Sequence, residues 1–245
     1  MKLIEIFEYF GFLKALIYNI FKTKPNIDEL QEQTTLYGYN SLFIIAIVSI
    51  FIGVIQSLQL YEGFHLFNAE GFIGYTVFIS MVKELSPVLG GLILIGKNIS
   101  KTTAEISSMQ ISKQFHMMDL LKINKYQLIF IPRFLGMLFT FPILIIFFTF
   151  LSILSAYFTS LVFLDVNNGD FYYYIEHWIK TKDILEGIFK ITITTFFIGS
   201  LSLFLGTKVG SDSKSLGEQT TKAVVVCSIT LFLIDYIVST IFFNI

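Results

Sequence analysis

"MVKELSPVLGG", residues 81–91, lies within an apolar run and yet holds a lysine, a glutamate and a proline. How such a stretch is accommodated decides the fold. Of the 245 residues 54% are hydrophobic and only 14% charged, with 28 phenylalanines, a balance that excludes a soluble two-layer domain and makes this a membrane protein. The net charge of -1 excludes the concentrated basic surface of a nucleic-acid-binding domain. The single cysteine, Cys227, can form neither an intrachain disulfide nor a thiolate metal cluster, and reads as a small packing residue.

Working outward from that stretch, runs near the roughly 20 apolar residues that cross a bilayer give five spans: 41–61, 72–99, 132–162, 184–206 and 223–243. The second and third are longer than needed, so tilt or extension past the hydrocarbon is expected. The first apolar stretch is interrupted by Glu5, Glu8 and Lys14 and is not a secretory signal. It carries instead a helical stripe of Leu3, Ile6, Phe7, Phe10, Leu13, Ile17, Ile20 and Phe21, the pattern of a helix lying in the headgroup region. Pro25 ends it, and Asn26 followed three residues later by Glu29 suggests a capping box opening a short polar helix. Lys2, Lys14, Lys22 and Lys24, then Lys97, Lys101, Lys113, Lys122, Lys125 and Arg133, then Lys208, Lys214 and Lys222, collect on one side, against Lys180 and Lys182 on the other. The basic side is expected to be cytoplasmic, with the N-terminus inside and the C-terminal "FFNI" outside.

Lys83, Glu84, Lys190 and Asp235 remain within the spans. An ionised group at the bilayer centre costs about 2.5–3.5 kcal/mol, so pairing is the simplest relief. At about 1.5 Å per residue, Glu84 lies roughly 20 Å from the outer end of its span and Asp235 roughly 18 Å from the inner end of its own. Lys190, roughly 9 Å into its span, can reach down toward them or snorkel to the interface. Lys83 lies about 100° around the helix from Glu84 and can point elsewhere. Pro87 lacks an amide donor and blocks the carbonyl of Lys83, so a kink is expected there. Freed backbone is tolerated at membrane depth only where protein or a watery cavity satisfies it. Charges and broken backbone together point to a polar cavity; a structural ion pair locking helices is the plainer alternative.

"GLILIGKN", Gly91 to Asn98, approaches the phosphate-loop pattern, but its aliphatic residues continue a span and Asn98 replaces the hydroxyl that would hold magnesium. Gly90, Gly91 and Gly96 read instead as places of close helix approach. His65, His116 and His177 lack metal-ligand spacing, and no nucleophile elbow or HExxH motif occurs. No metal site and no catalytic residue is assigned. Arg133, beside Pro132, reads as an interfacial anchor. In the connection between the second and third spans, Ile106, Met109, Phe115, Met118, Leu121 and Ile123 recur amid polar residues, as in a helix docking on a partner protein or lying on the membrane.

"KELSPVLGGLILIGKNISKTTAEISSMQISKQFHMMDLLKINKYQLIFIPRF", with "GVIQSLQLYEGFHLFNAEGFIG" upstream and "GEQTTKAVV" and "LIDYIVSTIFFN" downstream, resembles the MlaE/YrbE family, the permeases of bacterial lipid ABC transporters that work with MCE-domain proteins. The E-L-x-P-V, A-E-[IL]-x-x-M and P-R-F elements occur in that order. The resemblance implies an all-α integral membrane protein, a single permease domain over 1–245. Its parts are an interfacial helix and linker (1–40), a five-span bundle (41–245), a cytoplasmic coupling region (100–131) and an outside loop (163–183). It implies a dimer of two copies with a phospholipid cavity, a cytoplasmic ABC ATPase that holds the ATP and magnesium, and an outer MCE ring. A small STAS-domain protein is a further expected partner; no cofactor is expected in this chain. Glu84, Lys190 and Asp235 match the family's polar cluster, Lys83 a basic position there, and Phe64 and Phe67 apolar positions near the lipid tails. The segment Ala104 to Asn124 resembles the coupling helix, which makes Glu105, Met109, Lys113, Gln114 and Asp119 the expected ATPase contacts. Lys113 departs from a common glutamate, Lys97 from an arginine, Ile99 from a glycine and Lys125 from a proline.

A bacterial inner membrane is the expected location, with a plastid envelope as the alternative. Two rival functions are a proton-coupled secondary transporter, which would usually show more spans or internal repeats, and a non-transporting scaffold, which has no need of Glu84 beside Pro87. The reversal at Lys113 predicts an acidic residue opposite it on the ATPase. Lys113→Glu is expected to weaken ATPase assembly in a pull-down, and undiminished assembly contradicts the pairing.

Overall fold

The computed structural model describes residues 3–210 and 212–243. Lys2, counted above among the basic residues, and Asn244 and Ile245 of the C-terminal stretch lie outside the described residues. The described residues form eight helices and no strand: α1 Leu3–Lys22, α2 Ile27–His65, α3 Phe72–Ile111, α4 Gln114–Leu120, α5 Tyr126–Phe163, α6 Asn168–Trp178, α7 Thr181–Gly206 and α8 Ser213–Phe243. Of these, α2, α3, α5, α7 and α8 are long and apolar enough to cross a bilayer, and they contain the five expected spans.

Helix ends follow local chemistry. Pro25 stops α1, and Asn26 then caps α2 through its side-chain oxygen, which accepts from the Asp28 amide at 3.2 Å. The expected polar helix after Asn26 is not separate. No proline or other breaker separates it from the first span, so it forms the opening turns of the 39-residue α2. Glu29 takes no part in a capping box; its Oε1 accepts from Gln33 Nε2 at 3.0 Å. The coupling segment, expected as one helix from Ala104 to Asn124, is two. Lys113 adopts φ 57°, a left-handed conformation that an α-helix cannot continue through, and so divides α3 from α4. The expected outer loop carries α6, capped by Asn167, whose side-chain oxygen accepts from the Gly169 amide at 2.9 Å.

The chain forms two compact units. The first comprises Met1–Asn40, Leu94–Phe141 and Ile193–Phe232. Here the apolar stripe of α1 divides. Leu13 turns inward together with Tyr9 and Leu16, while Phe7, Phe10 and Phe21 remain exposed, as suits an interfacial helix. Glu5 and Glu8 tie α1 down through Lys222 at 2.9 Å and Lys208 at 2.8 Å, and the Tyr9 hydroxyl meets Ser200 Oγ at 2.7 Å. Phe12 packs edge-on to Phe130, ring centroids 5.4 Å apart. Cys227 is fully buried, the packing residue the sequence suggests.

The second unit comprises Ser41–Ile93, Pro142–Thr192 and Leu233–Ile245. Its core is Ile73, Val77 and Met81 of α3 against Ala156 of α5, Val166 in the connection that follows, and Phe171 of α6, with Phe64, Tyr157 and Ile175 packed around them. Small residues set the spacing: Gly53 lies against the Ser152 backbone, Gly74 against the Phe171 carbonyl, and Ser57 Oγ meets Ser160 Oγ at 2.8 Å. Gly90 is a close-approach position, since a Cβ there would come 3.2 Å from Ile145; Gly96 is not, having open space around it.

Gly53→Val forces α2 off the Ser152 carbonyl and is expected to cost about 2 kcal/mol or more, near the middle of the overpacking range. That lowers the midpoint of thermal unfolding in detergent by about 4–8 °C. Gly63→Ala, with nothing within 4 Å of the new methyl, is expected to leave it unchanged or slightly raised.

Candidate functional site

The quoted stretch is π-helical from Met81 to Gly90, and this is the form taken by the irregularity expected at Pro87. In an i→i+5 register the missing Pro87 amide deprives the Val82 carbonyl of its donor, whereas in an α register it deprives that of Lys83. Both carbonyls face α7. Lys83 O accepts from Lys190 Nζ at 2.5 Å, and Val82 O sits so close to Gly187 that a Cβ there would approach within 2.5 Å. Pro87 itself is buried.

Lys190 has no exposed surface. Around its ammonium stand Asp235 Oδ1 at 3.0 Å, Glu84 Oε1 at 3.2 Å, Ser239 Oγ at 2.8 Å and the Lys83 carbonyl. Asp235 and Ser239 sit four residues apart on one face of α8, and Ser239 in turn donates to Glu84 Oε1 at 2.9 Å. The Asp235 contact is charge to charge, without hydrogen-bond alignment. Three helices of the second unit therefore meet at one ammonium. Their partners differ in access: the Asp235 side chain is 15% exposed and that of Glu84 48%. The arrangement buries one ammonium among oxygens and leaves Glu84 as its most accessible partner.

Lys83 does not join this cluster. Its Nζ lies 2.7 Å from Asp183 Oδ1 and 3.0 Å from Glu186 Oε2, and Asp183 also accepts from the Lys180 amide at the start of α7. Only its carbonyl serves Lys190. The sequence reading missed Asp183, Glu186 and Ser239. A signal for the first two was present: 183, 186 and 190 fall at steps of three and four residues, one face of a helix that a counter-charged neighbour must meet. Phe64 is partly buried on the core of the second unit, while Phe67 stands 80% exposed in the turn after α2.

In the first unit the expected coupling residues take different positions. Met109 is half-buried, Lys113 and Gln114 are exposed at the break before α4, and Asp119 is exposed and pairs with Lys125 at 3.1 Å. Glu105 turns toward Arg133, 3.5 Å away. Arg133 is no interfacial anchor: with 6% exposure its guanidinium points into the unit, drawn between Glu105 and Glu29. Met117 and Leu120 of α4 and Leu121 just after it are exposed apolar residues, as a docking segment requires. Among the described residues no group of His, Cys, Asp and Glu is placed to hold a metal ion.

Residues 30–241 match the family described as Permease MlaE. The chain is 29% identical to a probable ABC transporter permease protein of Rickettsia prowazekii, the alignment covering 99% of this chain and 93% of that one. It is 27% identical, over 99% of this chain and 95% of the other, to the intermembrane phospholipid transport system permease protein MlaE of Haemophilus influenzae. A probable ABC transporter permease protein of Pyropia yezoensis is 29% identical over 91% of this chain and 85% of its own length.

Removing the ammonium leaves two carboxylates facing each other without a counter-charge. Lys190→Met is therefore expected to destabilise by about 3–5 kcal/mol in thermal unfolding, with Lys190→Met/Asp235→Asn recovering part of the loss. A single variant as stable as the parent chain contradicts the pairing.

Proposed function

The chain belongs to the MlaE permease family, and from that premise we propose that it is the membrane-spanning subunit of an ABC transporter moving phospholipid between a bacterial inner membrane and an MCE-domain partner. The family match and the Haemophilus relative, named for intermembrane phospholipid transport, support the substrate class. Two copies form the transporter. A separate cytoplasmic ATPase holds ATP and magnesium and performs the hydrolysis, a ring of MCE domains receives or delivers the lipid, and a small STAS-domain protein attaches to the ATPase. The N-terminus is cytoplasmic and the C-terminus periplasmic, with the basic residues on the inner side. ATP coupling sets this reading apart from a proton-driven carrier, and a scaffold has no use for a buried exchangeable ammonium.

The observation that carries the reading is Lys190, buried and fully partnered, with the partly open Glu84 as one of its partners. A phospholipid phosphate carries one negative charge, as does the carboxylate. Exchanging Glu84 for phosphate therefore leaves the net charge around Lys190 unchanged, the displaced carboxylate turns to the open side where it is already 48% exposed, and the lipid avoids the cost of about 2.5–3.5 kcal/mol that a lone ion at this depth incurs. Asp235 and Ser239 stay in place and hold the ammonium during the exchange. The acyl chains take the apolar walls. Lys83, neutralised by Asp183 and Glu186, positions the helix and its carbonyl rather than binding the headgroup. ATP-driven closure of the dimer narrows the cavity and expels the lipid.

Native mass spectrometry of the gently solubilised complex tests this reading. An ATPase and bound phospholipid are expected to accompany the chain; finding neither contradicts it. Lys190→Ala, Glu84→Gln and Asp235→Asn are expected to assemble with the ATPase but lose phospholipid-stimulated ATP hydrolysis, whereas Lys83→Met retains part of it. Full stimulation in Lys190→Ala defeats the exchange mechanism.

A further inference from the structure

Two of the sequence elements that carry the family resemblance, A-E-I-S-S-M and P-R-F, have no part in the charged cluster around Lys190, yet the structure joins them. Arg133 of the second element reaches Glu105 of the first, Nη2 to Oε2 at 3.5 Å, and Glu29 at the start of α2, Nη1 to Oε1 at 3.8 Å. Nη1 also donates to the Ile129 carbonyl at 3.3 Å, while Nε has no hydrogen-bond partner among the described residues. Neither carboxylate contact is as short as a hydrogen-bonded pair, so the buried guanidinium is held by charge from two sides and not clamped to either.

The neighbourhood is built to keep it there. Glu29 also accepts from Gln33, which is itself buried, and Gly136 on α5 lets the Gln33 and Tyr37 side chains approach to 3.2 and 3.4 Å of where a Cβ would be. Tyr37 bonds Thr102 on α3 at 2.9 Å, one turn before Glu105. Glu29, Gln33 and Tyr37 follow at four-residue steps and form one polar face of α2. Arg133 thus binds α2, α3 and α5 at the last turns of α3 before the left-handed break at Lys113.

We infer that Arg133 is a positioning residue for energy coupling: it holds the last turns of α3 against α2 and α5 through Glu105 and Glu29, so that a push delivered at α4 is passed to the first unit instead of being lost in local bending of residues 100–111. The inference rests on the proposed function for the source of that push. A bolt that served stability alone would be replaceable by any well-packed apolar contact. A coupling strut needs the charge and the fork of a guanidinium, one arm toward Glu105 and the other toward Glu29 and the Ile129 carbonyl.

The test compares the parent chain with Arg133→Ala, Arg133→Lys and Glu105→Gln, first as isolated full-length chains in detergent by hydrogen exchange, then in complex with the ATPase in phospholipid nanodiscs. Arg133→Ala and Glu105→Gln are expected to raise amide exchange locally in residues 100–111. In the complex they are expected to keep the ATPase bound while phospholipid stimulation of ATP hydrolysis falls about fivefold or more, the lower end of ordinary coupling between sites. Arg133→Lys, which keeps the charge without the fork, recovers part of both. Unchanged exchange in residues 100–111, an even rise across the whole chain, or undiminished stimulation in Arg133→Ala each overturns the inference. A parent complex that phospholipid does not stimulate defeats the proposed function instead, and the exchange comparison on the isolated chain then decides the role of Arg133 by itself.

Discussion

One buried ammonium organises the second unit. Lys190 has no contact with the surroundings, and its charge is tolerable only because Asp235, Glu84, Ser239 and the Lys83 carbonyl surround it. Each oxygen comes from a helix that has to be brought to α7, so the electrostatic requirement fixes the mutual placement of α3, α7 and α8 there. Lipid-facing surfaces attract one another only weakly, since lipid tails are as apolar as the side chains they touch. Polar contacts of this kind therefore supply much of the specificity of helix arrangement.

Backbone and side chains solve one problem together. Pro87 withdraws a donor from α3, and the helix around it takes a π-helical register. Lys190 satisfies one of the carbonyls left in question, and Gly187, lacking a side chain, lets α7 come close to the other. The lysine that the sequence places beside Glu84 does not compete for that ground, because Asp183 and Glu186 hold it at the start of α7. Two charged clusters thus share α3 and α7: one holds the Lys83 side chain, and the other surrounds Lys190 and leaves Glu84 at its open edge.

Much of this was legible in the sequence. Five spans follow from apolar runs that no other fold would carry, and Glu84, Lys190 and Asp235 stand out because ionised groups inside such runs are rare. Ser239 was not legible, since a serine in a membrane helix ordinarily bonds its own backbone and gives no sign of a distant partner. Arg133 misled because an arginine at a span end usually points to the interface, and only the inward face of α2, with Glu29, Gln33 and Tyr37, reveals that it turns the other way. The break at Lys113 depends on a single backbone angle that lysine rarely adopts, and the helical pattern runs through it undisturbed.

The claim on which the account turns is that the Lys190 ammonium passes from a carboxylate to a lipid phosphate. Solid-state NMR of the chain in nanodiscs, with 15N in the lysine side chains and 31P in the phospholipid, measures that contact directly. The account predicts a nitrogen–phosphorus dipolar coupling at hydrogen-bonded range that vanishes in Lys190→Met. A coupling unchanged by that substitution, or none in the parent chain loaded with lipid, contradicts it.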